Sequence, residues 1–146
     1  MTLTSEGSTP AEAPAPSTIL VVDDNTNVTQ ALVLLIQRAG YNAVGCHNGT
    51  DALACVETTK PSAAVVDVHL PDMNGLILAQ KLRVVLGKDV PIIVVSGDTS
   101  METLNSLSHV GATYFFSKPL SSQSLLKHLK TLLSGGTPDG AQSASL

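Results

Sequence analysis

Asp67 stands in the run VVDVHLPDMNG (residues 65–75), where small and β-branched apolar residues break into a carboxylate. Three other stretches end in the same way: Thr18–Val22 in Asp23-Asp24, Pro91–Val95 in Ser96, and Ala112–Phe116 in Ser117-Lys118. If these runs are strands pointing in one direction, their last residues meet at the sheet edge where open α/β folds build their sites. Three carboxylates gathered there repel one another, and at least one pKa rises unless a cation joins them. Carboxylates, a backbone carbonyl and water are the ligands of a hard ion such as Mg²⁺, which leaves positions open for phosphate oxygens. The Lys118 ammonium serves the same oxygens as a point charge, and the Ser96 hydroxyl as a donor. The chemistry this set points to is phosphoryl transfer onto Asp67 as nucleophile.

The intervening segments must position these residues. Val28, Ala31, Leu32, Leu35, Ile36 and Ala39 recur at helical spacing, with Gly40 placed to end that helix. Tyr41–Cys46 reads as a second strand. Asn48-Gly49 opens a helix carrying Ala52, Leu53 and Val56, which the Lys60-Pro61 step breaks. Leu78, Ala79, Leu82, Val85 and Leu86 mark a third helix ending at Gly87, with Asp72 before it as a turn or cap residue. Thr99 and Glu102 form a capping box for a fourth helix bearing Met101, Leu104 and Leu107 and ending at Gly111. Ser121 or Ser122 caps a fifth, whose apolar face is Leu125, Leu126, Leu129, Leu132 and Leu133. Lys127, His128 and Lys130 lie towards its C-terminal end, the favourable side of the helix dipole. Strand and helix alternate five times, each strand too apolar to have a wet face. The expected fold is α/β, a single doubly wound (βα)5 domain with a five-stranded parallel sheet.

Composition narrows the classes of function. Of 146 residues, 43% are apolar and only 3% aromatic, so the core is large and aliphatic. The formal charge of −4 sits mainly in the tails, because residues 18–133 carry nine acidic and eight basic side chains. A near-neutral core has no basic face for nucleic acid and no polybasic membrane patch. No apolar run is long enough for a membrane span, and the N-terminus lacks the pattern of a signal peptide. Cys46 and Cys55 fit no metal or redox spacing and read as reduced thiols in or near the core of a cytoplasmic protein. Residues 1–17 and 134–146, rich in Pro, Ala, Ser, Thr and Gly, are expected to be a disordered leader and tail around a domain at 18–133.

Taken together, Asp23-Asp24, Asp67 in D-x-x-L-P-D-M-N-G, Ser96-Gly97 and Lys118-Pro119 resemble the receiver domain of two-component response regulators, a CheY-like, flavodoxin-like fold. The resemblance spans residues 18–133 and implies a stand-alone receiver. By it, Asp67 is the phosphoacceptor, charged by a histidine kinase or histidine phosphotransfer protein. Mg²⁺ would be held by Asp24 directly, by Asp23 largely through water, and by Asp67 and the backbone carbonyl of His69. Ser96 and Phe115 would form the switch. The commoner residue at the latter position is Tyr, so Phe115 would act through packing alone. Tyr114, one position away, faces the opposite side of a strand. The side chains of His69 and Asp98, each two residues beyond a site residue, would tune dephosphorylation. The family's last two helices and last strand would bind a downstream protein or, on phosphorylation, a second copy of the chain. In this reading the protein is a signalling phosphoacceptor rather than an enzyme.

Two other readings share the acidic set. One is a Mg²⁺-dependent phosphohydrolase of the haloacid-dehalogenase type, which also forms an aspartyl phosphate. That family places its nucleophile in D-x-D after the first strand, whereas Asp23 and Asp24 are adjacent. The other is a receiver-shaped adaptor that is never phosphorylated.

Overall fold

Five short parallel strands form one sheet in the order β2-β1-β3-β4-β5. They are β1 (Thr18–Val22), β2 (Asn42–Cys46), β3 (Ala63–Asp67), β4 (Ile92–Ser96) and β5 (Tyr114–Ser117). The computed structural model describes residues 17–97, 105, 114–118 and 120–134. Residues 1–16 of the expected leader, the tail beyond Ser134, Asp98 and, apart from Asn105, the helix expected around Met101, Leu104 and Leu107 lie outside the described residues. The four helices among the described residues are α1 (Thr26–Arg38), α2 (Gly49–Thr59), α3 (Gly75–Leu86) and α4 (Ser122–Leu133).

Alternation along each strand divides the core in two. Leu20, Val22, Ala64, Val66, Val94 and Phe115 face α2 and α3 and meet Val56, Leu78 and Leu82. Ile19, Val21, Val65, Ile93 and Val95 face α1 and α4 and meet Leu32, Ile36, Leu125 and Leu129. Burying such a side chain completely contributes about 1.5–3 kcal/mol. Both layers therefore hold the strands at fixed height, which is what aligns their carboxyl ends. The central strands β3 and β4 are buried along their whole length. The chain leaves β1 towards β2 on one side and towards β3 on the other, so the β1/β3 crevice is the topological switch point of the sheet.

The edges depart from the sequence expectation. β2 is an open edge strand, with Asn42 exposed on one face and Gly45 on the other, and the ends of β5 are likewise less buried. On α1, Val28 is 37% exposed and Ala31 is also exposed, while the adjacent Thr29 is buried with Leu32 and Ile36. Val85 of α3 also points to solvent. His128, expected among the basic residues at the C-terminal part of α4, is buried instead. Its ring stands edge-on to Phe116 at 5.0 Å, and Nδ1 lies 2.7 Å from the Ser124 carbonyl oxygen. Both thiols are free, and burial together with the neighbouring Cys55 pushes the Cys46 thiol up to about 12. No helix among the described residues is long and apolar enough to cross a membrane.

Candidate functional site

Asp23 is the first residue past β1, and its N–H donates to the Cys46 carbonyl at 3.1 Å, which extends the β1–β2 ladder by one step. The turn that follows is held tightly. Asn25 N–H donates to Asp23 Oδ1 at 2.9 Å, while the Asn25 side chain caps α1 by accepting from Val28 N–H. The buried Thr29 hydroxyl lies 2.9 Å from the Asp23 carbonyl and 3.0 Å from that of Asn25, and donates between them. These contacts, not an apolar side chain, are why position 29 of α1 faces inward.

Asp67 ends β3, 3% exposed, and both of its carboxylate oxygens are engaged. Oδ1 accepts the His69 N–H at 3.1 Å, and Oδ2 accepts the Lys118 ammonium at 2.9 Å. The chain then doubles back. Val68 N–H continues the pairing to Val95, His69 and Asn74 form an antiparallel bridge, and Gly75 N–H donates to the Val68 carbonyl at 2.7 Å. At Gly75 a β-carbon would run into the Asp67 carbonyl oxygen, with Val68 Cα only 2.6 Å away, so no side chain fits there. The glycine that opens α3 is thus a condition of the loop that carries Asp67.

Lys118 follows β5, and its N–H donates to the Ser96 carbonyl at 3.0 Å, tying the ends of β4 and β5 together. Its Nζ also lies 3.9 Å from Asp23 Oδ2. Burial alone would lower the Lys118 pKa, but the carboxylates of Asp67, Asp23 and Asp24 outweigh it and hold the ammonium above its usual value. Asp23 moves the other way from an ordinary salt-bridged acid. Burial first, and then the charge of Asp67, raise its pKa against the opposing pull of the Asn25 N–H and Lys118.

Oxygens of Asp23, Asp24 and Asp67 lie within 4.8 Å of one another, Asp24 exposed and the other two buried. This donor set suits a hard divalent cation, and the pKa of Asp23, raised by burial first and by the neighbouring carboxylates second, reflects a site where a cation would relieve the cost of ionisation. Beside it opens a groove of about 320 Å³, lined by Asp23 and Lys118 and by Val28, Leu32, Leu120 and Ser122.

Four predicted residues, Asp23, Asp24, Asp67 and Lys118, therefore come together. Ser96, fully buried at the end of β4, follows Val94 onto the α2/α3 face, while Asp67 follows Val65 onto the other. Phe115 pairs in register with Val94 on that same face and is 4% exposed, whereas Tyr114 packs on the opposite one. The His69 side chain is exposed, and its backbone N–H is what touches Asp67. Asp98 lies outside the described residues. Thr29 was missed by reading apolar spacing alone. Its signal was a threonine four residues after the Asn25 cap, where a hydroxyl reaches the i−4 carbonyl.

Known proteins share this sequence pattern and fold. Residues 19–130 match the family described as the response regulator receiver domain. Response regulator MprA of Mycolicibacterium vanbaalenii is 33% identical over 124 residues, covering 85% of this chain and 53% of that protein. The chain thus spans about half the length of the curated relatives it matches. A CheY-like receiver domain protein from Methanospirillum hungatei superposes with a TM-score of 0.77 at 28% identity, covering 82% of this chain and 94% of that one. Chemotaxis response regulator CheY4 of Vibrio cholerae gives 0.74 at 30% identity, with 80% and 98% covered. The extent of the family match settles the family: this chain belongs to the response regulator receiver domains of two-component signal transduction.

Proposed function

We propose that Asp67 is the phosphoacceptor of this receiver and that its phosphorylation switches the binding of a protein partner. One observation carries the assignment: a single buried carboxylate bonded to Lys118 at 2.9 Å, with two further acids within 4.8 Å of it. Asp23, Asp24, Asp67 and the backbone carbonyl of His69 would hold Mg²⁺. When bound, that ion supplies neutralising charge for the phosphoryl oxygens. An Asp67 carboxylate oxygen attacks the phosphorus of a phosphohistidine on a kinase or phosphotransfer protein. The P–N bond breaks, its electron pair returns to the imidazole, and an aspartyl phosphate forms. Lys118 keeps its positive charge beside a phosphoryl oxygen throughout, and the Ser96 hydroxyl donates to another.

Phosphorylation shifts a conformational equilibrium only by what it stabilises differently in the two states. Here the new contacts to Ser96 and Lys118 supply that difference, and Phe115, adjoining Ser96 on one sheet face, responds by packing. Return to the resting state is by water attacking phosphorus, which restores the Asp67 carboxylate and releases phosphate. The side chains of His69 and Asp98 tune that access. The downstream protein, or a second copy of the chain, docks on the last two helices and last strand of a domain at 18–133, in the cytoplasm.

The test is intact mass after incubation with acetyl phosphate and Mg²⁺, with wild type and Asp67→Asn in parallel. One phosphate adduct on wild type, absent from the variant and absent without Mg²⁺, is the expected result. Multiple turnover on small phosphate esters would instead identify a phosphohydrolase, and neither adduct nor phosphate release would identify an adaptor.

A further inference from the structure

The loop that carries Asp67 contains a second carboxylate, and it is turned away from the acidic cluster. Asp72 Oδ1 accepts the Gly49 N–H at 2.8 Å, and Oδ2 accepts the Thr50 N–H at 2.9 Å and the Thr50 hydroxyl at 2.6 Å. Gly49 and Thr50 are the first two residues of α2, 23 and 22 positions back in the chain. The next N–H of that helix, from Asp51, is taken by its own cap, Asn48, at 2.7 Å. The three leading N–H groups of α2 are thus shared between a local cap and a distant one. One residue on, Met73 covers Gly49 so closely that a β-carbon there would meet Met73 Cγ at 2.6 Å and Cε at 2.7 Å. The loop is seated on α2 by a charged cap and by packing in succession.

From this anchor the contacts run straight to the site. Asn74 bridges to His69, and His69 donates its N–H to Asp67 Oδ1. We propose that Asp72 is a positioning residue: by clamping the 68–75 loop to the α2 N-terminus it holds the Asp67 carboxylate and the His69 backbone ready for Mg²⁺. This rests on Asp67 being the acceptor carboxylate of the site. Without the clamp, the loop must be ordered when the ion binds, and affinity falls by that cost. The Thr50 hydroxyl first, and then the Gly49 and Thr50 N–H groups, hold the Asp72 carboxyl at about 2, so the clamp stays ionised at any physiological pH.

A mere helix cap would predict something different, and Asn48 provides the comparison because it caps the same helix end without touching the loop. The full-length chain would be studied as wild type, Asp72→Ala, Asp72→Asn and Asn48→Ala. Mg²⁺ affinity is read by calorimetry, the His69 amide by ¹H–¹⁵N spectra of the metal-free protein, and adduct formation with acetyl phosphate by mass. Asp72→Ala should weaken Mg²⁺ roughly tenfold, the size of a lost outer-shell support, and shift the His69 amide. Asp72→Asn, which keeps one acceptor oxygen, should fall between. Asn48→Ala should lose thermal stability yet bind Mg²⁺ within about twofold of wild type and leave the His69 amide in place. Equal Mg²⁺ affinity in Asp72→Ala and Asn48→Ala would overturn the proposal. If Asp72→Ala does not fold, Asp72→Asn and Thr50→Val carry the same comparison. A wild type that binds Mg²⁺ but takes no phosphate would refute Asp67 as acceptor while the Mg²⁺ ranking still judges Asp72; a wild type that binds no Mg²⁺ would refute both.

Discussion

Replacing Gly75 with Ala should damage stability and phosphorylation together, because the added methyl group has only backbone to push against. Its β-carbon would sit 2.6 Å from Val68 Cα and 2.8 Å from the Asp67 carbonyl carbon, where an ordinary contact begins at 3.4 Å. The loop must open by about 0.8 Å (3.4 minus 2.6) at Val68, and by more at the Asp67 oxygen. That movement stretches the 2.7 Å bond from Gly75 N–H to the Val68 carbonyl. Overpacking costs about 1–3 kcal/mol and a lost buried hydrogen bond about 1 more, so the total is about 2–4 kcal/mol. With an unfolding entropy of about 2.1 cal/mol/K per residue over roughly 115 residues, the melting temperature falls by roughly 8–16 °C. Shifting a reacting carboxylate by most of an ångström costs up to about 100-fold in rate. Thermal unfolding followed by circular dichroism, with adduct formation by mass on the folded protein, measures both. Gly87→Ala is the control: Gly87 adopts a positive φ of 92°, which Gly75 does not, but open space surrounds it. It should lose about 1–3 kcal/mol from backbone strain and keep the wild-type phosphorylation rate, which is the readout that separates it from Gly75→Ala. A Gly75→Ala protein that melts within about 2 °C of wild type and phosphorylates normally would refute the close-approach argument.

Three further outcomes follow from the same geometry. Lys118→Met should slow adduct formation roughly 100-fold, as loss of a fixed electrostatic contact does, while Mg²⁺ binds at least as tightly because a competing cation has gone; weakened Mg²⁺ binding measured by calorimetry would contradict this. Asp23 has a folded pKa above its ordinary value, so its ionised form is the costly one, and that cost disappears as pH falls towards the ordinary carboxylate range. Mg²⁺ needs the ionised form, so its affinity should begin to fall at a pH above the ordinary carboxylate value of about 3.9, and affinity unchanged down to about pH 4 would count against the assignment. Thr29→Val keeps the shape but removes the donor to the Asp23 and Asn25 carbonyls, and should cost about 1–2 kcal/mol in denaturant unfolding together with weaker Mg²⁺ binding. Unfolding at the wild-type midpoint would show that the hydroxyl does not hold the β1–α1 turn.

Much of the site was legible in the chain because parallel topology converts a one-dimensional pattern into a place. Asp23, Asp24, Asp67 and Lys118 each follow an apolar run, and parallel strands bring such ends to one edge whatever their order. Helix ends were legible for a similar local reason. Gly40 and Gly87 stand where the backbone takes a positive φ, and Ser121 caps α4 through Ser124 N–H. The phase of a helix was less secure. Adjacent residues differ by only 100° around the axis, and Val28 and Thr29 compete for the same inward position. Two backbone carbonyls waiting in the β1–α1 turn settled it in favour of the hydroxyl. His128 went into the core because the ring of Phe116 faces it across from β5, a neighbour that spacing along α4 does not reveal.

By itself, then, the sequence determined which side chains reach the working edge and what chemistry they can do, since both follow from local pattern and residue type. Tertiary structure alone decided the contacts between segments distant in the chain. It set the order in which the strands lie, the seat of Lys118 against one oxygen of Asp67, the backbone pressed on Gly75, and the reach of Asp72 to a helix that begins 23 residues earlier. Each of these depends on distances set by packing two layers onto one sheet, and no periodicity within a single segment encodes them.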